Sequence, residues 1–314
     1  MKKGDFTLLD EAQVFNKNQL NIIKKYGKKC SLTDLAILLG GYVSDEGDYQ
    51  NRSGLWFVKP SSNNLCFVGK NGFKRSSIYN SRSCGVRPAI KYSLIKNNCS
   101  DILKIKDGIF EVKYGEYPQF AVNWMLAVLL EKKYKENNIN FTGKFYMMDI
   151  VLNKGSLKKR IFTEYEYNGE KFIRIVADSK CAGSVLSDGR LIKKGDVFWI
   201  KVDLIKWIVD EVNDVALSQK ILFSGVEFNE NDFYDGKFEN TNIYNFMNSV
   251  FSNDIVSYSN MCFSVDVLID RIKWVLSNMN DYQKIKFQSD LEDLLNYYIQ
   301  YKESTKKKVK RLRY

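Results

Sequence analysis

The chain of 314 residues contains no histidine, and this absence excludes several kinds of chemistry. Histidine is the side chain whose ordinary pKa lies nearest neutrality, and it is the commonest metal ligand. Ser-His-Asp catalysis, Cys-His catalysis and zinc sites built on imidazole are therefore excluded. The glycines at 40–41 and 69–72 fit neither of the usual phosphate-binding loop patterns. We expect a protein that is not an enzyme and that holds no metal and no cofactor.

Long apolar runs and paired cysteine motifs are also missing. No window approaches the roughly 20 apolar residues of a membrane helix, and the N-terminus does not resemble a signal peptide. The six cysteines show no CxxC spacing, which favours reduced and mostly buried thiols. We therefore expect a cytoplasmic protein with no membrane contact. Abundant Lys, Asn, Ile and Tyr with only three prolines is typical of an AT-rich bacterium or its phage.

Positive charge is plentiful, with a formal net charge of +11, and it is concentrated in a C-terminal basic tail. Six of the charges are carried by Lys306, Lys307, Lys308, Lys310, Arg311 and Arg313. Three roles remain open for this tail. The first role is a solvated terminus, the second is a nucleic-acid contact that neutralises phosphates, and the third is an anchor for an acidic protein surface.

The first 98 residues combine two helices with short strands. Asp10 and Gln13 predict a capping box that starts a helix over 10–26. Ser31 with Asp34 predicts a second capping box before a buried helix that ends at the glycines 40–41. Apolar runs at 55–58, 65–68 and 86–90 predict short strands.

Two long loops, 45–53 and 70–83, separate these elements, and long loops commonly carry binding residues. In and beside them lie exposed aromatic and basic residues that suit macromolecular contacts. The candidate ligand-binding residues are Tyr42, Tyr49, Phe73, Lys74, Arg75 and Tyr79.

From residue 109 onwards the pattern is again mixed. A polar connector over 96–108 leads to a strand that ends near Pro118, and a helix is predicted over 120–135. Asn168-Gly169 between alternating runs predicts a tight hairpin. Glu164 and Glu166 share one face of that hairpin, where we expect a solvated surface opposite Lys171 and Arg174; the alternative is an acid and base pair.

Further strands are predicted at 197–202, 206–210 and 215–223, followed by a helix that begins near Thr241. The remaining residues, 264–314, predict a C-terminal helical hairpin that continues into the basic tail.

The segment Gly85-Val86-Arg87-Pro88-Ala89-Ile90, preceded by a Trp strand at 54–60, resembles the closing signature of a bacterial lectin-like family of unknown function. That family is similar in fold to the C-type lectins and the formylglycine-generating enzyme. Segments similar to the family's opening half follow at 112–118, 205–210, around 220–222 and at 238–251, so the two halves stand in permuted order. This order implies either two incomplete modules or one domain whose chain start has been moved, and we expect a shared, continuous core. The position of Arg87 between a glycine and a proline predicts a structural role, through an ion pair or carbonyl contacts under the loops; the alternative is a role in ligand binding. The calcium and sugar triplets of the lectins do not occur, so neither ligand is implied.

Together these patterns predict an α+β protein with a C-type-lectin-like core of short antiparallel strands, flanking helices and a C-terminal helical hairpin. The expected divisions are a closing half at 1–98, an opening half at 109–258 that packs on it, and the hairpin at 264–314. The favoured function is non-catalytic recognition of a protein or another macromolecule through the loops. The alternative is a phage or mobile-element protein that binds and inhibits host nucleic-acid machinery. The helical hairpin also suits homo-oligomer formation.

Overall fold

A computed structural model of the chain describes residues 5–16, 19–45, 48–49, 52–77, 84–153, 156–229 and 234–255, with Glu292, Leu295, Asn296 and Ile299. Of residue 77 and of residues 147–153 and 156–160 only the backbone is described. The chain divides into two compact units, Met1–Val256 and Ser257–Tyr314.

The described helices are short, apart from one of twelve residues. They are α1 (Glu11–Phe15), α2 (Asn21–Tyr26), α3 (Asp34–Leu38), α4 (Tyr92–Ile95), α5 (Trp124–Lys135), α6 (Asn242–Phe246) and α7 (Ser252–Ile255). A π-helical turn, Met247–Phe251, joins the last two, and 3-10 turns span Lys96–Asn98 and Phe238–Asn240.

The strands range from two to fourteen residues. They are β1 (Phe6–Thr7), β2 (Trp56–Val58), β3 (Leu65–Val68), β4 (Lys74–Ser77), β5 (Ala89–Lys91), β6 (Ser100–Lys106), β7 (Ile109–Ala121), β8 (Asn140–Asn153), β9 (Ser156–Tyr167), β10 (Glu170–Val176), β11 (Val197–Asp210) and β12 (Val215–Ser218).

Within the described residues, nine strands form one sheet and β2, β3 and β4 form a second. All pairings between these strands are antiparallel. Together with the helices they place the protein in the α+β class, as the sequence predicts. The core strands are not all short, because β7, β8, β9 and β11 have 12 to 14 residues.

Strand β11 organises the large sheet. One edge of it pairs with β7 over most of its length, while the other edge pairs first with β10 and then with β12. Strand β12 in turn pairs with β5, the strand that ends the GVRPAI segment. The segments 1–98 and 109–256 therefore contribute neighbouring strands to a single sheet, and both lie in the first compact unit.

Each of these segments is tied within itself by a buried tryptophan through its indole nitrogen. Nε1 of Trp56 donates to the carbonyl of Lys28 at 3.0 Å, and Nε1 of Trp207 donates to the carbonyl of Tyr114 at 2.8 Å. Each bond satisfies a polar group that would otherwise be costly to bury.

Arg87 has the structural role that its sequence context implies. It is buried, its Nε donates to the carbonyl of Ser218 at 2.8 Å, and its guanidinium lies 5.2 Å from the ring centroid of Trp56. Burial lowers the pKa of this guanidinium.

The first predicted helix is interrupted. Instead of one helix over 10–26, the chain forms α1 and α2, and α2 ends at Gly27 as predicted. The second helix is buried as predicted, but Thr33 caps it, through a bond from the Ala36 N–H. Ser31 is not the cap, because its hydroxyl instead accepts a bond from Nζ of Lys220.

Two stretches expected to be irregular are strands. Residues 74–77 form β4, which pairs with β3, so Lys74 and Arg75 lie on a strand and not in a loop. The polar connector contains β6, an exposed strand that pairs with β7. Strand β4 consists of lysine, arginine and serine alone, and in β6 the apolar Ile102 and Leu103 are adjacent among polar residues, so neither shows the regular apolar alternation on which strand prediction depends.

The Asn168-Gly169 hairpin is confirmed. Both residues have positive φ, +53° and +77°, and Tyr167 pairs with Glu170 across the turn. This is the geometry that two-residue hairpin turns require. The C-terminal helical hairpin lies outside the described residues, except for the four positions between 292 and 299, which are helical.

Candidate protein-binding surface

Helix α5 covers a small core that is separate from the main one. The side chain of Asn123 accepts a bond from the Leu126 N–H at 3.0 Å and starts the helix. Leu130 is fully buried and clusters with Val122, Phe172 and Trp199. Helix-favouring residues and lysines in the last turn suit this segment to a helix.

The opposite face of α5 exposes large apolar side chains. The exposed fractions are 69% for Trp124, 73% for Met125, 50% for Val128 and 37% for Leu129. Trp124 and Val128 are four residues apart, as are Met125 and Leu129, so the four form one continuous patch on the helix. Scattered exposed apolar residues are ordinary, but a contiguous patch marks an interaction site.

A groove of about 490 Å³ lies beside this patch. Its wall and floor include Trp124, Ala127, Val128, Val197 and Trp199. This volume falls in the range of about 300–1,000 Å³ that is typical of sites receiving a ligand. The α5 patch and the groove thus present an apolar surface together with a cavity that a side chain can enter.

An ion pair at the groove fixes α5 against β10. Nε and Nη2 of Arg174 donate to the two carboxylate oxygens of Glu131 at 2.9 and 3.0 Å, and Nε1 of Trp199 donates at 3.2 Å. The bonds from Arg174 lower the pKa of Glu131. The guanidinium also stacks on Tyr134, 4.8 Å from its ring centroid. A bidentate ion pair of this kind fixes the relative orientation of the two side chains as well as pairing their charges.

Arg190 forms another side of the groove. Its Nη2 donates to the carbonyl of Val122 at 2.7 Å, and its Nε donates to Asp188 at 2.6 Å. The preceding residue, Gly189, lies against the ring of Tyr49, since a Cβ built there would be 3.2 Å from Cδ2 of the tyrosine. The loop that carries Tyr49 therefore adjoins the groove.

We define the docking surface as the exposed face of α5, the groove, and the adjoining Tyr49. Tyr49 is 54% exposed and its ring lies 4.8 Å from the guanidinium of Arg52. Arg52 in turn donates to the carbonyl of Val185 at 2.9 Å. The Tyr49 loop is thereby tied to the 185–190 loop, and an aromatic side chain stands beside the groove.

The sequence-predicted site residues fall into two groups. Tyr42 and Tyr49 are both exposed, and Tyr49 is part of the docking surface. Phe73, Lys74 and Arg75 are exposed around the β3–β4 turn, where Lys74 forms an ion pair with Glu11 of α1. Among the described residues no contact joins these groups. Tyr79 lies outside the described residues, as do Lys306, Lys307, Lys308, Lys310, Arg311 and Arg313.

Glu164 is not on a solvated face, so that interpretation is wrong. It is 2% exposed and accepts bonds from the hydroxyls of Tyr146, at 2.6 Å, and Thr142, at 2.8 Å. Both donors belong to β8, a strand that the sequence did not indicate. Burial lowers the pKa of nearby Lys144, against the opposing effect of the Glu164 carboxylate.

The expected positive partners of Glu164 and Glu166 are mostly engaged elsewhere. Lys171 faces Glu166 across the strands, but its Nζ bonds to Glu116 at 2.6 Å. Arg174 forms the groove's ion pair with Glu131.

Within the described ranges, no cluster of three or more metal-ligating side chains is present. Cys30, Cys66, Cys84 and Cys181 are buried free thiols and Cys99 is a half-buried one, as the sequence predicts. Burial raises the pKa of Cys66 to about 12, which makes that thiol a poor nucleophile. Cys262 lies outside the described residues.

The fold and this surface define the chain as an α+β protein with an exposed apolar docking surface. In the part of the chain that the structure describes, no helix is long and apolar enough to cross a membrane. Comparisons with protein-family models, with curated proteins and with solved structures found no match.

Proposed function

We propose that the chain is a non-catalytic recognition protein that binds another protein through the docking surface. The observation that carries this proposal is the exposure of Trp124, Met125, Val128 and Leu129 on one face of a rigid helix. Burying this patch against a partner would remove apolar surface from water, and a central tryptophan beside a groove is a typical binding hot spot.

The adjoining loop supports the same function. Tyr49 lies beside the groove and is anchored through Arg52, so it can contribute a rigid aromatic contact at small entropic cost. The GVRPAI resemblance to lectin-like domains supports a fold that displays loops for recognition. The free thiols support placing this activity in a reducing compartment such as the cytoplasm.

Site-specific photocrosslinking tests the proposal. A photoreactive side chain at position 125, which is 73% exposed, is expected to give discrete protein adducts in extracts of the native host. Unlabelled wild-type protein should abolish these adducts in competition. The Trp124→Ala competitor should be at least about ten-fold weaker, because truncating a hot-spot aromatic residue removes most of its contact.

Val212 supplies the matched control, since it is 79% exposed on the turn between β11 and β12. A photoreactive side chain there should give none of the same adducts, and the Val212→Ala competitor should match the wild type. Identical adducts from both positions, or a Trp124→Ala protein that competes as well as the wild type, would refute the proposal. Trp124 is 69% exposed, so its truncation should leave the thermal midpoint nearly unchanged.

The alternative proposal is a nucleic-acid partner contacted through the basic tail, and the net charge of +11 favours it. In that case the full chain should retard nucleic acid in an electrophoretic mobility assay at low salt. Replacing the six basic residues of the tail with serine should remove most of the retardation, because phosphate neutralisation supplies nonspecific affinity. A full chain that retards neither DNA nor RNA would rule out this alternative.

A further inference from the structure

The groove carries an excess of positive charge beside its apolar wall. Its charged lining residues are the cations Lys132, Lys135 and Arg190 and the carboxylates Glu131 and Glu136. Two of these charges are already paired, since Glu131 receives the two bonds from Arg174 and Arg190 donates to Asp188, which leaves Lys132 and Lys135 against Glu136. The local balance is therefore positive, as is that of the whole chain.

The two lysines are only weakly engaged. Nζ of Lys135 lies 3.7 Å from Glu131, and Nζ of Lys132 lies 3.9 Å from Glu136. Their side chains are 72% and 69% exposed. Exposed ion pairs at such distances contribute little to stability. Both ammonium groups can therefore turn towards an incoming carboxylate at a small cost in free energy.

We propose that the partner presents an acidic segment with an apolar anchor residue. The anchor enters the groove beside Trp124 and Val128, and Asp or Glu residues next to it face Lys132 and Lys135. This inference rests on the proposed function and specifies the chemistry of the partner. Charge complementarity of this kind contributes mainly specificity and association rate.

The observations disfavour two other occupants. A lipid bilayer would meet the α5 patch but leave the groove unfilled, with the carboxylates of Glu131 and Glu136 beside anionic headgroups. A second copy of the chain in a two-fold contact at α5 would bring the same lysines together, between molecules that each carry a charge of +11. A peptide segment avoids both problems, because its apolar anchor fills the groove and its few carboxylates can be placed at the two lysines, away from Glu131 and Glu136.

Selection from a library of displayed random peptides tests the inference on the full chain. Peptides are selected on the wild type after depletion on the Trp124→Ala variant, so that those depending on the groove are retained. We expect the retained peptides to be enriched in Asp and Glu next to Leu, Ile, Phe or Trp. Their affinity should fall as salt is raised, because exposed charges are screened.

Charge reversal then tests whether the two lysines contribute to binding, with one synthetic peptide taken from that selection. The double variant Lys132→Glu, Lys135→Glu should bind it about ten-fold more weakly or worse. The matched control is Lys96→Glu, Lys104→Glu, which makes the same change in net charge at exposed lysines outside the groove lining. The control should retain affinity within about three-fold.

The outcomes separate this inference from the proposed function. Retained peptides with neutral or basic flanks, or equal losses in both double variants, overturn the acidic partner while leaving protein recognition intact. Failure to retain any peptide overturns the acidic partner too, and the crosslinking result at position 125 then decides the proposed function. Flotation of the protein with vesicles of anionic phospholipid, lost in Trp124→Ala, would replace the peptide with a membrane surface.

Discussion

Replacing Asp34 with asparagine is expected to lower the free energy of unfolding by about 3 kcal/mol, because it leaves buried donors unsatisfied. Asp34 is 1% exposed and its carboxylate accepts three hydrogen bonds. They come from the Ser187 N–H at 2.7 Å, the Ser187 hydroxyl at 2.9 Å and the Ala121 N–H at 2.9 Å. An amide would turn an NH₂ group towards at least one of these donors.

The same carboxylate joins three elements that position the docking surface. It sits in the first turn of α3 and receives bonds from the end of β7 and from the loop that carries Arg190. In Asp34→Asn the amide protons of residues 184–192 should therefore exchange faster, and binding at the groove should weaken. Chemical denaturation and hydrogen exchange measure the two effects.

Asp107→Asn is the matched control, because Asp107 has a side chain 95% exposed and pairs only with Lys104 among the described residues. Its free energy of unfolding should change by less than about 0.5 kcal/mol. If Asp34→Asn were no more destabilising than this control, the three bonds would not hold the loop, and the rigidity assigned to the docking surface would lose its support.

Local sequence signals predicted the parts of the fold whose geometry is set locally. The Asn168-Gly169 turn needs positive φ at both positions, and these residue types supply it. The sequence predicts a helix that begins near Thr241, and Thr241 caps α6 through a bond from the Tyr244 N–H.

Elements defined by their neighbours were missed. Strand β8 pairs with β9 and supplies the hydroxyls that satisfy Glu164, but nothing local in residues 140–153 indicates that pairing. Because the sequence does not indicate β8, it predicts that Glu164 lies on a solvated face. Edge strands β4 and β6 are polar, so their sequence resembles a loop.

The docking surface was only partly predictable. The sequence predicted the α5 helix and the exposed Tyr49, but α5 is apolar on two faces, with Leu130 buried and Met125 exposed. Periodicity cannot tell which of two apolar faces a protein buries. That choice depends on Trp199 and Phe172, which reach the helix from distant strands.

The sequence context of Arg87 predicts a structural role, and the contacts of this residue agree with that role. The particular strand pairing between the two halves was beyond local signals, because the β12–β5 pairing joins residues more than a hundred positions apart. Their contact is a property of the sheet as a whole and not of either segment.

Replacing Gly115 with alanine is expected to destabilise the first compact unit by about 3 kcal/mol, through two separate effects. Gly115 has φ of +73°, a left-handed conformation that costs an L-residue about 1–2 kcal/mol. A Cβ there would also lie 2.9 Å from the carbonyl oxygen of Ile255 and 3.1 Å from its Cβ. Crowding of this kind costs a further 1–3 kcal/mol or so.

The position is special because β7 bulges there. Glu116 pairs with Leu204 and Lys113 with Lys206, so two residues of β7 stand opposite Ile205 alone. A bulge of this type favours a left-handed glycine. The bend lets Ile255, at the end of α7, pack against the strand. The Gly115→Ala substitution should therefore weaken the packing of α7 on β7 as well as the sheet itself.

Gly169→Ala separates the two effects, because Gly169 has a similar φ of +77° but nothing within 4 Å of a built Cβ. Only backbone strain applies at this position, so the free energy of unfolding of the Gly169→Ala variant should fall by about 1 kcal/mol. Urea denaturation of both variants should therefore show a difference of about 2 kcal/mol between them. Equal losses would mean that α7 shifts away from β7 at no cost, and that the contact between Gly115 and Ile255 does not stabilise the fold.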